Sequence, residues 1–206
     1  MSLLKNVGTI GGLTLVSRVF GFARDIMLAR VLGAGGVADA WQLAFQLPNL
    51  FRRLFAEGAF ASAFVPLFNR HMAEDESAAR RFAGEVLAVL LPILVVFGAA
   101  MMLAMPWVLW AFANEELRGD AATYDLAVTM GRIAFPYLMF MSLATLVAAI
   151  LNSLSRFAAA AAAPILLNVC LLTALVWGAL QPAGDWARAA TGIGLAIAVS
   201  VSGLLQ

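Results

Sequence analysis

The chain has 206 residues, of which 63% are hydrophobic and 12% charged, and its mean hydropathy is +0.92. A water-soluble domain carries about 25% charged residues, so the composition excludes one and indicates a polytopic membrane protein. The net charge of +1 comes without any basic run of the kind that binds nucleic acid, and one histidine (His71) and one cysteine (Cys170) leave no material for a disulfide framework, a metal cluster or most histidine-based catalysis.

A helix needs about 20 residues to cross the hydrocarbon. The apolar pattern predicts six spans, at 8–32, 37–68, 82–113, 125–151, 159–181 and 188–206. The first opens "MSLLKNVGTIGGLTLVSRVF", one Lys followed by apolar residues, as in a secretory signal. Arg18 interrupts the apolar core and no small-residue cleavage site follows, so it reads as a retained span. In the second, Pro48 removes a backbone donor and predicts a kink near mid-membrane. Turn signals fill the connections: "GAGG" at 33–36, "NRHMAEDESAARR" at 69–81, "NEELRGD" at 114–120, "NSLSR" at 152–156 and "QPAGDWAR" at 181–188. The alanine run before Pro164 suits close helix approach. The sixth span reaches Gln206 without a polar flank, so the chain is expected to be the N-terminal part of a longer protein.

Lys5, Arg70, Arg80, Arg81 and Arg156 fall on one side of this layout, and Arg30, Arg118 and Arg188 on the other. The bias favours a cytoplasmic N-terminus. Trp107, Trp110, Trp177 and Trp186 then gather at the outer ends of their spans, as interfacial anchors do.

Five arginines remain at membrane depth: Arg18, Arg24, Arg52, Arg53 and Arg132. An Arg at a helix centre costs roughly 2.5–3.5 kcal/mol, so the first four would cost on the order of 10–14 kcal/mol facing lipid. They must face acids or a watered cavity. At about 1.5 Å per residue, Arg18 lies roughly 15 Å inside the cytoplasmic end of the first span and Arg52 about 23 Å down the antiparallel second span, roughly 7–10 Å above the inner boundary, so Arg18, Arg24, Arg52 and Arg53 gather in the middle and cytoplasmic half. Gly21 lies midway between Arg18 and Arg24, where a bend would aim both into one cavity. Asn49 lies within one turn of Arg52 and Arg53, and Glu57 is placed to pair with Arg53. Asp25 is a partner for Arg18 or for another helix, and Asp39 lies nearer the outer surface. Asp25, Asp39 and Glu57 do not balance four arginines. A net positive cavity suits an anionic substrate, phosphate above all, because the guanidinium fork matches phosphate oxygens. Arg132 is within reach of the surface and favours a structural, snorkelling role, and His71 reads as a solvated loop-edge residue.

The segments "LLKN", "SRVFGFARD" and "GAGGVADAWQLAFQLPNLFRRLFAEGAFASAFVP" closely resemble the start of the MurJ (MviN) family of lipid II flippases, within the multidrug, oligosaccharidyl-lipid and polysaccharide exporter superfamily. The resemblance is dense over residues 1–70 and looser from 71 to 206. It implies an all-α, fourteen-helix bundle of two six-helix lobes and two further helices, of which this chain supplies the first lobe. It implies that Arg18, Arg24 and Arg52 line a cationic cavity for the diphosphate and head group of lipid II. Arg53 and Glu57 would support them, and Asp39 would lie near an outer gate, with Gly21, Gly58 and Pro48 as bend points. The implied partners are lipid II, membrane lipids and the C-terminal lobe. The implied location is the bacterial plasma membrane, with no cofactor or metal. An exporter of another lipid-linked glycan or anionic substrate shares the cationic pocket. A polyprenyl-phosphate enzyme would need a nucleophile, base or metal-binding acid cluster that this sequence lacks. A scaffold would not need unpaired arginines at mid-depth.

Overall fold

The computed structural model describes residues 3–54, 60–154 and 157–206. Among them every regular element is helical: α1 (Leu3–Leu32), α2 (Gly36–Leu54), α3 (Phe60–Glu74), α4 (Glu76–Phe112), α5 (Glu115–Gly119), α6 (Ala121–Ala134), α7 (Tyr137–Ser153), α8 (Phe157–Ala179) and α9 (Asp185–Leu205). In lipid each backbone donor must be satisfied within its own segment, which selects helix for chains this apolar. Gly33, in the left-handed region at φ 70, closes α1 with its N–H on the Ala29 carbonyl at 3.1 Å. The Asn114 side chain caps α5 by accepting from the Leu117 N–H at 2.9 Å. The Asp120 carboxylate caps α6, accepting from the Ala122 and Thr123 N–H groups. The Thr123 hydroxyl, and after it these N–H bonds, hold the Asp120 carboxyl below its usual range.

The structure departs from the sequence expectation at two connections. The loop expected over 69–81 contracts to Asp75, because α3 runs to Glu74 and α4 begins at Glu76. Its charges are spaced for helix rather than turn: Arg70 approaches Glu74 at 3.7 Å, Arg80 pairs with Glu76, and the His71 ring lies 4.9 Å from that of Phe82. Both helices therefore extend beyond the apolar stretch. The span expected over 125–151 is broken between α6 and α7, where Pro136 has no N–H to give. The Ser200 hydroxyl of α9 donates to the Ile133 carbonyl beside this break at 2.5 Å. Helix α2 remains helical through Pro48, which is buried. Between α2 and α3, residues 55–59 lie outside the described residues.

Four of the described stretches are long and apolar enough to cross a membrane: Glu76–Phe112, Ala121–Ser153, Ala162–Ala179 and Asp185–Leu205. The stretches expected to span at 8–32 and 37–68, which carry Arg18, Arg24, Arg52 and Arg53, are not among these four. Helix α1 packs on α8, α8 on α9, and α9 on both α6 and α7; α2 packs on α6, and α3 on α4 and α7. Consecutive in the chain, α1 and α2 make no extended contact among the described residues. The main core joins Trp41 and Leu47 of α2, Met105 and Leu109 of α4, Met130 of α6, Phe135, Tyr137, Leu171 of α8, and Leu195 and Val199 of α9.

Two carbonyls on α4, one of them freed by a proline, are met from α6. Pro106 cannot donate to Met102 four residues back, and Arg132 Nε donates to that carbonyl at 3.0 Å. The Tyr124 hydroxyl donates to the Pro106 carbonyl. Arg132 thus has the structural role expected of it. Arg118 donates twice to the Trp110 carbonyl, at 2.7 and 3.1 Å, with its guanidinium 4.2 Å from that ring's centre.

Close approach of α8 to α9 depends on Gly178. A Cβ there would lie 2.4 Å from Thr191 Oγ1 and 3.0 Å from Thr191 Cβ, on a side chain that is fully buried and stiff. At Gly192 the nearest atom is the mobile methyl end of Met130, at 2.1 Å. Gly178→Ala is therefore expected to destabilise the protein by about 1–3 kcal/mol, more than Gly192→Ala, and Thr191→Ala should restore most of the loss. Thermal unfolding in detergent measures this; equal effects at the two glycines would contradict it.

Candidate functional site

The site begins at the middle of α1. Arg24 donates from Nε and Nη2 to one oxygen of Asp25, at 3.0 and 2.8 Å, and from Nη1 to Asn168 Oδ1 of α8 at 2.9 Å. The Asn168 amide nitrogen donates in turn to the Ser17 carbonyl at 3.2 Å. Ser17, Gly21 and Arg24 share one face of α1, spaced i, i+4 and i+7. Gly21 lies beneath the amide: a Cβ there would be 3.7 Å from Asn168 Nδ2. Arg24 is 23% exposed and Asp25 65% exposed, so the pair lies at an open edge rather than in the core. A guanidinium has five N–H groups. Three are engaged by Asp25 and Asn168, which leaves one on each terminal nitrogen without a described protein partner.

Asp25 therefore pairs with its neighbour Arg24, not with Arg18 two turns away as the sequence spacing allowed. Arg18 is exposed and makes no ion pair among the described residues. Helix α1 is unbroken at Gly21, whose role here is to seat Asn168.

Helix α2 is two-faced. Ala40, Trp41, Leu43, Ala44 and Leu47 are buried on one side. Asp39, Gln42 and Gln46 are exposed and Asn49 is half-buried, at a spacing of i, i+3, i+7 and i+10 that forms a polar stripe along the helix. Asp39 is in the first turn, where its charge favours the helix N-terminus. With Gln42, Gln46 and Asn114 it lines a cavity of about 180 Å³. The side chains of Arg52 and Arg53, and Glu57 as a whole, lie outside the described residues. A larger cavity, about 420 Å³, lies between the end of α1 and the start of α9, lined by Arg30 and Arg188. Among the described residues no group of three His, Cys, Asp or Glu could hold a metal.

Sequence reasoning missed Asn168 and the glutamines. Gln42 and Gln46 were legible from their helical spacing. Asn168 gave only the signal of one amide in an apolar run, with a partner 144 residues away.

Residues 28–206 match the family model described as "Lipid II flippase MurJ". The chain belongs to the MurJ family of lipid II flippases. It is 47% identical over 209 residues to a probable lipid II flippase MurJ of Rhizobium meliloti, covering 100% of this chain and 38% of that one. A second probable lipid II flippase MurJ, from Rhizobium tropici, is 49% identical over 86% of this chain and 33% of its own. A solved structure titled "Lipid II flippase MurJ, inward closed conformation" superposes with a TM-score of 0.74 at 23% identity, covering 95% of this chain and 40% of that one, and shows the shared fold. The chain thus spans about a third to two-fifths of the relatives it matches. Membership of this family and the apolar helices make it part of a multi-pass membrane protein.

If the α2 stripe borders water, cysteines at Gln42, Gln46 or Asn49 in a Cys170→Ala background should react with a hydrophilic maleimide in membranes. Cysteines at Val96 or Leu103, exposed on α4, should react at least tenfold more slowly because lipid covers them. Equal rates would show that the stripe is dry.

Proposed function

We propose that the chain is the N-terminal six-span lobe of a lipid II flippase of the bacterial plasma membrane, with its N-terminus in the cytoplasm. Arg18, Arg24 and Arg52 receive the diphosphate of the lipid-linked peptidoglycan precursor. The observation that carries this is the Arg24 guanidinium: at an open edge, oriented by Asn168 and Asp25, with one N–H on each terminal nitrogen uncommitted among the described residues. That disposition suits two phosphate oxygens. The α2 register that runs through Asp39, Gln42, Gln46 and Asn49 leads on toward Arg52 and Arg53, with Glu57 in support.

A diphosphate cannot cross hydrocarbon unaided, because desolvating an unpaired ion costs far more than thermal energy supplies. In the inward-open state the arginines replace its water while the polyprenyl tail stays in lipid. Rocking against a second lobe then exposes the head group outside. Asp39, near the outer end of α2, borders the exit. The protein moves its substrate without making or breaking a bond, so it is a transporter and not an enzyme.

Arg18→Ala, Arg24→Ala and Arg52→Ala in the full-length protein should each abolish growth support while membrane insertion is kept. Each removes charge-assisted bonds worth about 1.5–3 kcal/mol, or roughly 10–100-fold in substrate affinity. Arg24→Lys should retain the charge but lose the fork, and so recover only part. Complementation together with surface accessibility of labelled lipid II reads both; wild-type behaviour in all three alanine variants would overturn the proposal.

A further inference from the structure

We infer that Asn168 is a positioning residue for Arg24: it fixes the guanidinium for a phosphate without cancelling its charge. This rests on the reading of Arg24 as a phosphate-binding group. Asn168 is 6% exposed, in a helix otherwise built of apolar and small residues. A buried amide in such a helix is costly unless both of its ends are bonded. Both ends go to α1 and none of its bonds is spent on α8: Oδ1 accepts from Arg24 and Nδ2 donates to the Ser17 carbonyl.

The geometry makes the amide a two-point gauge. Ser17 and Arg24 lie seven residues apart, about 10 Å along the axis. Both reach the same small group because the long Arg24 side chain leans toward the helix N-terminus over Gly21. Without a Cβ at Gly21 the amide seats against the α1 backbone. Turning α1 by one residue, about 100°, would break both bonds. Asn168 therefore fixes the rotation of α1 on α8 and, with it, the direction in which the guanidinium presents its remaining N–H groups.

The neutrality of the amide matters as much as its shape. Asp25 already balances the charge of Arg24. A carboxylate at position 168 would accept the same Nη1 bond and make the trio net negative, which repels a phosphate. An amide accepts from the guanidinium and adds no charge. An aspartate would keep the Nη1 bond but has no N–H for the Ser17 carbonyl, so only the amide makes both bonds and adds no charge.

The test uses full-length protein in detergent, titrated with a short-chain polyprenyl diphosphate, with thermal unfolding measured in parallel. Asn168→Asp is expected to unfold within a few degrees of wild type yet bind at least tenfold more weakly. Asn168→Leu should weaken binding about tenfold, and Gly21→Val, which displaces the amide, should do the same. In an Arg24→Ala background, Asn168→Asp and Asn168→Leu should cause no further loss. Binding by Asn168→Asp at wild-type affinity would overturn the positioning role, as would losses that multiply with that of Arg24→Ala. If Asn168→Leu does not fold, Asn168→Asp and Gly21→Val decide alone. Wild-type affinity in Arg24→Ala itself would instead remove the phosphate reading, a different result from any that condemns Asn168 alone.

Discussion

A guanidinium taken out of water must find donors' partners elsewhere, and in hydrocarbon nothing but protein, trapped water or substrate can supply them. The arrangement of α1, α2 and α8 follows from that demand. Arg24 is not buried in the core. It is held at an edge by one carboxylate and one amide, with part of its hydrogen-bonding capacity unspent. On α2 the buried side packs against α6, and the polar stripe runs along the other side. Because α1 docks on α8 while α2 docks on α6, the two charged helices stay apart.

The same demand explains features that have nothing to do with substrate. Prolines inside membrane helices free carbonyls that lipid cannot satisfy. On α4, Arg132 serves the carbonyl that Pro106 abandons, and Tyr124 serves that of Pro106 itself. At the α6–α7 break, Ser200 serves Ile133. Each donor comes from a neighbouring helix, so these bonds to backbone carbonyls, of which that of Met102 is freed by Pro106, also fix helix pairs. Arg24 and Arg132 look alike in the sequence. They differ in what they meet: a charged partner and an amide at an open edge, against a backbone carbonyl.

Much of this was legible in the residues. Composition and apolar run lengths gave the helical membrane class, and the depth of Arg18 and Arg24 marked α1 as the charged helix. Pro136, in "AFPYL", carried the signal for the α6–α7 break, but the surrounding apolarity hid it. The charges of 69–81 looked like a loop because they were counted and not spaced; at i, i+4 they extend two helices. The partner of Asp25 is not legible from spacing, because adjacent residues do not face each other on a helix, yet the long Arg24 side chain curls back to its neighbour. Asn168 was beyond reach, since its meaning depends on a helix pairing that no local pattern encodes.

Helix α4 stands apart from this economy of polar contacts. Much of its surface is exposed apolar side chain, including Val89, Val96, Leu103 and Trp107. Its apolar stretch from Val86 to Phe112 measures about 40 Å at 1.5 Å per residue, against a hydrocarbon slab about 30 Å thick. A helix longer than the slab it crosses tilts, kinks or thickens the bilayer around it. Arg132 and Tyr124 tie α6 to the same helix, so whatever inclination the bilayer thickness imposes on α4 is shared by α6.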